Sequence, residues 1–256
     1  MNTKSLYFVI FVFSFLLLSC EKNETDTDFV IHDYRIHDIL YAKGSKLKRF
    51  YDVYSDNSRI LRAEYMYDDL GRISRKNYGS DIFAYDIYQY DMKGELEKIS
   101  TYAVHFENPP VLTHTVIYSY DTKGNKVKEQ TEFTDNRETV YNLFQYTGEE
   151  LAKQEHYEGD QQTYYIVYEY KGSKPVKERF YVPEEKDFVT TDHIYDQDLL
   201  VYSVTYSENP KSGFMYDKRN YYDRNDNLVK IVSNHPGLSS MSGATSFLIT
   251  SENEYE

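Results

Sequence analysis

The chain has 256 residues, a formal charge of −13 and 17 % aromatic residues, with 29 tyrosines, no tryptophan and one cysteine. The acidic balance argues against a nucleic-acid partner, because binding the phosphate backbone needs clustered Lys and Arg, and no basic patch offsets the charge. A single cysteine excludes an intrachain disulfide, so packing and hydrogen bonds must hold the fold.

Residues 1–19 place Lys4 ahead of an almost unbroken apolar run, Leu6 to Leu18. The run is too short for a comfortable membrane span and has the form of a secretory signal peptide. It ends in Leu17-Leu18-Ser19-Cys20, which resembles the lipobox of secreted bacterial lipoproteins. That resemblance implies that Cys20 becomes the acylated, palmitate-bearing first residue of the mature protein. Residues 20–28 continue with the polar, acidic stretch Glu21 to Asp28, read as a flexible tether. An acidic stretch in this position resembles the surface-export signal of Bacteroidota lipoproteins. The periplasmic and the surface face of the outer membrane both stay open.

Residues 29–256 read as one domain, because a single repeat crosses them. Its pattern is a tyrosine followed by a turn: Tyr41-Ala42-Lys43-Gly44, Tyr67-Asp68-Asp69-Leu70-Gly71, Tyr90-Asp91-Met92-Lys93-Gly94 and Tyr120-Asp121-Thr122-Lys123-Gly124. Weaker copies begin at Tyr146, Tyr170, Tyr195 and Tyr222. The spacing of about 23–30 residues is that of a repeated supersecondary unit. Aspartate at the first turn position can accept a backbone N–H two residues on. Glycine three residues later supplies the positive φ of a hairpin loop that ends in a bulge. The last two units carry Asp and Asn in place of glycine, and both tolerate the left-handed region. Turn residues also mark the opposite ends, as at Asp56-Asn57-Ser58, Asp135-Asn136 and Glu158-Gly159-Asp160. The flanks alternate with β-branched and aromatic residues, as a pleated strand requires.

The expected fold is all-β: an up-and-down antiparallel meander of about sixteen strands, closed into a barrel or strongly curved, because an open sheet of that size exposes its edges. A membrane-spanning barrel is disfavoured. Strands such as Val127-Lys128-Glu129-Gln130-Thr131-Glu132 put charge on both faces, and each lipid-facing Lys or Arg near the midplane costs about 2–4 kcal/mol.

Tyrosines two residues apart share a face: Tyr65 and Tyr67, Tyr88 and Tyr90, Tyr118 and Tyr120, Tyr168 and Tyr170. They read first as the core of a repeat with few aliphatic residues, and are also candidate ligand-binding residues, as a sugar-stacking or protein-docking surface. The runs Tyr65 to Ile73, Tyr88 to Leu96 and Tyr118 to Gly124 resemble the YD repeat of Rhs-type and teneurin shells, although later copies lose the Asp or the Gly. In overall layout, residues 20–256 resemble uncharacterised Bacteroidota lipoproteins with a porin-like fold, which implies a barrel-like sheet and no assigned activity.

No sequence signature of catalysis, cofactor or metal binding emerges. His32 and His37 fall on opposite faces of a strand, and the other histidines are scattered without a ligand spacing. Asp68, Asp91 and Asp121 belong to turns too short for a calcium loop. The expected function is therefore a non-catalytic, lipid-anchored envelope lipoprotein at the outer membrane of a Gram-negative bacterium, binding a polysaccharide or a protein partner. The alternatives are a structural or assembly accessory of an outer-membrane complex, and a glycoside hydrolase with unmarked carboxylates.

Overall fold

The computed structural model describes residues 34–36, 41–54, 56–79, 83–105, 108–183, 187–208, 214–235 and 247–256, and the compact unit runs from Tyr34 to Glu256. Cys20, the acidic tether, His32, His37 and the serine-rich loop after His235 lie outside the described residues.

Sixteen strands follow one another: β1 (Leu47–Val53), β2 (Arg59–Tyr67), β3 (Ile73–Tyr78), β4 (Ala84–Tyr90), β5 (Leu96–His105), β6 (Asn108–Tyr120), β7 (Lys126–Phe133), β8 (Val140–Thr147), β9 (Glu150–Glu158), β10 (Gln161–Lys171), β11 (Lys174–Val182), β12 (Asp187–Asp196), β13 (Leu199–Ser207), β14 (Phe214–Tyr222), β15 (Leu228–His235) and β16 (Phe247–Tyr255). Each pairs antiparallel with its chain neighbours, and β16 closes on β1, so the sheet is a closed barrel, as the repeat predicts.

The turn chemistry is local and repeats. The Asp68 carboxylate accepts the N–H groups of Leu70 and Arg72 at 3.0 and 2.8 Å. Asp91, Asp121 and Asp223 do the same for the second and fourth residues after them. Positive φ falls on Gly71, Gly94 and Gly124, and on Asp226 in the fourth such turn. Three weaker copies instead have two-residue loops, Gly148-Glu149, Gly172-Ser173 and Gln197-Asp198, whose first residue takes positive φ. The sequence expectation of an Asp or Asn at that point fails at Gln197, which adopts φ 51°. Shortening the loop moved the left-handed position forward by two residues, from four places after the motif tyrosine to two.

Opposite each motif tyrosine the ladder slips by one residue. The breaks fall at Met66/Tyr67, Gln89/Tyr90, Ser119/Tyr120, Gln145/Tyr146, Glu169/Tyr170, Ile194/Tyr195 and Tyr221/Tyr222. These bulges bend the returning strand and deepen the twist, which a closed sheet needs. Between hairpins the ladders stop short of this rim: β5–β6 ends at Lys98↔Ile117 and β13–β14 at Tyr202↔Arg219. The motif tyrosines bridge the gap. Tyr67 donates to the Leu47 carbonyl at 2.6 Å, Tyr90 to Ile73 at 2.9 Å, Tyr120 to Leu96 at 2.9 Å and Tyr146 to Lys126 at 3.0 Å. Tyr222 donates to Leu200 at 2.9 Å and Tyr255 to Leu228 at 2.7 Å.

Tyr255 corrects the reading of the first repeat. The Tyr41 turn is present, with Gly44 at φ 76°, but the strand paired ahead of β1 is β16, which carries Tyr255 opposite Leu47. The eighth hairpin is split between the chain's two ends. The N-terminal segment is fastened at the same rim: Arg35 bridges Tyr222 in parallel at the top of the β13–β14 seam, and forms an ion pair with Asp226 at 2.7 Å.

The two faces differ. The residue before each of the first motif tyrosines (Met66, Gln89, Ser119, Gln145, Glu169) is exposed and points outward. The outward face carries ion pairs such as Arg49–Glu64, Lys153–Glu155 and Lys177–Asp192. The inward face carries the motif tyrosines and the residues in phase with them. On β13 that face is Val201, Ser203, Thr205 and Ser207, all buried.

Candidate functional site

Ligand chemistry requires polar groups that the fold has not already used. The eight candidate tyrosines divide on this test. Tyr67, Tyr90 and Tyr120 donate their hydroxyls to backbone carbonyls of the preceding hairpin, and Tyr170 occupies the equivalent rim position opposite Pro175. These rings close the wall.

Tyr65, Tyr88 and Tyr118 lie one inward step further from the rim, on β2, β4 and β6. Among the described residues their hydroxyls have no hydrogen-bond partner. Burial pushes the Tyr88 hydroxyl up to about 12, with the charge of Asp86 adding to it. Burial also raises Tyr65 and Tyr118, and the Asp86 charge contributes to both. Tyr88 is two residues from Asp86 on β4, and Tyr65 and Asp86 both pair with Lys76, so the phenols and this carboxylate share the inward face. Asp86 is 5 % exposed. Its Oδ2 accepts the Tyr78 hydroxyl at 2.9 Å and its Oδ1 accepts the Thr101 hydroxyl at 2.7 Å. Lys76 is the direct cross-strand partner of Asp86, and its ammonium lies over the Tyr78 ring at 4.3 Å.

Sequence reasoning missed Asp86, Tyr78 and Thr101. One signal was available: in Ala84-Tyr85-Asp86-Ile87-Tyr88-Gln89-Tyr90 the aspartate is in phase with Tyr88 and Tyr90, so a carboxylate sits on the aromatic face. Tyr78 and Thr101 come from β3 and β5 and meet Asp86 only through strand register.

Tyr168 joins a different inward network. It donates to Gln154 Oε1 at 3.3 Å, and Gln154 donates to Asn142 Oδ1 at 3.3 Å. His156 Nδ1 lies 2.9 Å from the same Asn142 oxygen, and Asn142 donates to Glu129 at 3.2 Å. Lys126 completes the chain with a 2.8 Å ion pair to Glu129. Burial lowers the His156 pKa and favours its neutral form.

The outward face shows ring stacks too, at Tyr85–Tyr102 (5.2 Å, 16°) and Tyr141–Tyr157 (4.8 Å, 7°). Arg75 covers Tyr85 at 3.8 Å, and Lys128 lies over Tyr141 at 4.9 Å. A ring sandwiched in this way offers a sugar little free π-face, so these pairs belong to the wall. The cluster that can take a ligand is the inward one: a buried carboxylate, three unengaged phenols and their flat rings. Phenols both donate and accept, which suits a hydroxyl-rich ligand.

No family model matches the chain, and no curated protein matches it either. Solved structures do. A porin-like protein from Bacteroides uniformis aligns with a TM-score of 0.51 and 11 % identity, over 81 % of this chain and 96 % of its own. A porin-like protein from Bacteroides vulgatus aligns at TM-score 0.37 and 10 % identity, over 83 % and 99 % of the two chains. The TcdB2–TccC3–Cdc42 complex aligns at TM-score 0.37 and 12 % identity, over 74 % of this chain and 12 % of that one. The first of these likenesses supports a porin-like barrel fold.

Proposed function

We propose that the chain is a lipid-anchored cell-envelope lipoprotein of a Gram-negative outer membrane whose barrel binds a polysaccharide through its inward tyrosine face. The observation that carries this reading is the buried Asp86, held by the Tyr78 and Thr101 hydroxyls on the same inward face as the unengaged phenols of Tyr65, Tyr88 and Tyr118. Binding sites of this type combine apolar walls with a few convergent polar groups. Anchoring through Cys20 fits a barrel whose outer wall carries Arg49, Lys153, Lys177 and their acidic partners, since each such cation would be costly against lipid.

Affinity electrophoresis of the detergent-purified chain against plant, host and bacterial polysaccharides tests the binding. The expected result is retardation by at least one polymer, lost in Asp86→Asn and Tyr118→Phe and kept in an exposed-face variant such as Gln89→Ala. If every polymer leaves migration unchanged, the polysaccharide reading fails. The barrel is then an assembly scaffold or a docking module for an envelope protein, and co-purification identifies the partner.

A further inference from the structure

A second inward cluster lies on β11–β14, apart from the tyrosine site on β2–β6. Glu178, His193, Ser203 and Lys218 stand in a row across four neighbouring strands. His193 and Ser203 are direct cross-strand partners, and so are Ser203 and Lys218. His193 Nδ1 lies 2.8 Å from Ser203 Oγ, and His193 Nε2 lies 3.2 Å from Glu178 Oε1. An ionised carboxylate only accepts hydrogen bonds, so Glu178 fixes the imidazole proton on Nε2. The Nδ1 lone pair then faces the serine hydroxyl. This is the arrangement of a nucleophile, a base and a group that orients the base. The two ring nitrogens have the opposite roles to those in the familiar serine hydrolases, and the proton inventory is the same.

The surroundings fit. The His193 side chain is 10 % exposed and Glu178 36 %. Lys218, directly opposite Ser203, is exposed and has no resident ion pair among the described residues. A groove of about 500 Å³ lined by Lys174, Val176, His193 and Tyr195 reaches the histidine. Ser203 itself is 6 % exposed, which restricts the acyl group to a small one.

We propose that Ser203 and His193 form a serine-esterase site, with Glu178 as a positioning residue, that hydrolyses small O-acyl esters such as acetyl esters. Ser203 Oγ attacks the ester carbonyl carbon while its proton passes to His193 Nδ1. Glu178 stabilises the imidazolium through Nε2–H, and the Lys218 ammonium offsets the charge growing on the carbonyl oxygen. The tetrahedral adduct collapses, the bond to the alcohol oxygen breaks, and His193 returns its proton to that oxygen. Water then repeats the sequence on the acyl-serine, releasing the carboxylic acid and restoring Ser203. This activity is independent of polysaccharide binding at the tyrosine site.

The test treats the full chain with a fluorophosphonate and maps the adduct by peptide mass, with p-nitrophenyl acetate turnover measured in parallel. The expected result is one phosphonyl group on Ser203, with a labelling rate that depends on pH. His193→Gln should slow labelling by about 100-fold or more. Glu178→Gln should slow it less and shift the midpoint of the pH profile, which a purely structural role would not do. No adduct on Ser203 in a chain with the wild-type β-sheet circular dichroism spectrum overturns the proposal. So does an adduct on another serine, or an unchanged labelling rate in a folded His193→Gln chain.

Discussion

Tyr118 and Tyr120 sit two residues apart on one face of β6 and use their hydroxyls differently. Tyr120 closes the seam to Leu96, while Tyr118 faces inward with its hydroxyl unengaged among the described residues. Tyr120→Phe should lower stability by about 1 kcal/mol, the net worth of one hydrogen bond, and leave the proposed polysaccharide binding intact. Tyr118→Phe should do the reverse, and urea denaturation beside affinity electrophoresis separates the two. Asp223 is a stronger case. It is fully buried and accepts from the N–H groups of Tyr41, Asn225 and Asn227 and from the Asn227 side chain. Burial alone would raise its pKa, and these donors override it and hold the carboxyl below its usual range. Asp223→Ala strands several donors and should cost at least about 2 kcal/mol.

The tyrosines also set the response to alkali. Tyr88 and Tyr168 are pushed up to about 12, in both cases chiefly by burial, against about 10 in the unfolded chain. The folded state therefore keeps protons that the unfolded state loses. Stability is fully present below pH 10 and falls as pH rises from about 10 towards 12. With no tryptophan in the chain, the near-ultraviolet absorbance of tyrosinate follows the titration directly. Unfolding should start as the first tyrosines ionise, and a flat stability profile across that window would contradict the buried inward face.

At the scale of an element, the hairpin depends on two kinds of glycine. Gly44 has φ 76° and open space where a methyl group would sit, with no atom within 4 Å. Gly79 donates to the Arg62 carbonyl at 2.9 Å, and a Cβ there would lie 1.6 Å from the Leu61 carbonyl oxygen. Gly79→Ala should therefore cost about 3 kcal/mol, because backbone atoms must separate. Gly44→Ala should cost only the left-handed strain of about 1–2 kcal/mol. Thermal denaturation of the pair checks the order. The hairpins were legible in the sequence because their chemistry is local: Asp68, Asp91 and Asp121 each bond to N–H groups two and four residues on. The bulge facing each tyrosine was not legible as a pairing slip, since it involves a register between two strands.

For the whole molecule, closure rests on β16 meeting β1. The Tyr41 copy shows a turn in the sequence but cannot show that its first strand arrives from the other end of the chain. The candidate site has the same limit: the period of two placed Tyr65, Tyr88 and Tyr118 on one face, whereas Asp86 with Tyr78 and Thr101 needed three strands in register. Ending the chain at His235 removes β16 and exposes the edges of β1 and β15. That form should self-associate through strand pairing, visible as light scattering, while the intact chain stays monodisperse. The proposed lipid anchor makes its own prediction: Cys20→Ser should move the protein from the membrane fraction to the soluble fraction and abolish palmitate incorporation.

The seam bond that Tyr67, Tyr90, Tyr120, Tyr146, Tyr222 and Tyr255 make to the preceding hairpin has one more consequence. A hairpin brings its own turn, its own bulge and the hydroxyl that joins it to whatever hairpin comes before, so it carries every joint it needs. Such a unit is portable. Duplicating or losing one changes the circumference by two strands without requiring new contacts elsewhere, and the bore widens or narrows with strand number. Lineages carrying this hairpin can therefore diversify by bore size while the joint itself stays constant.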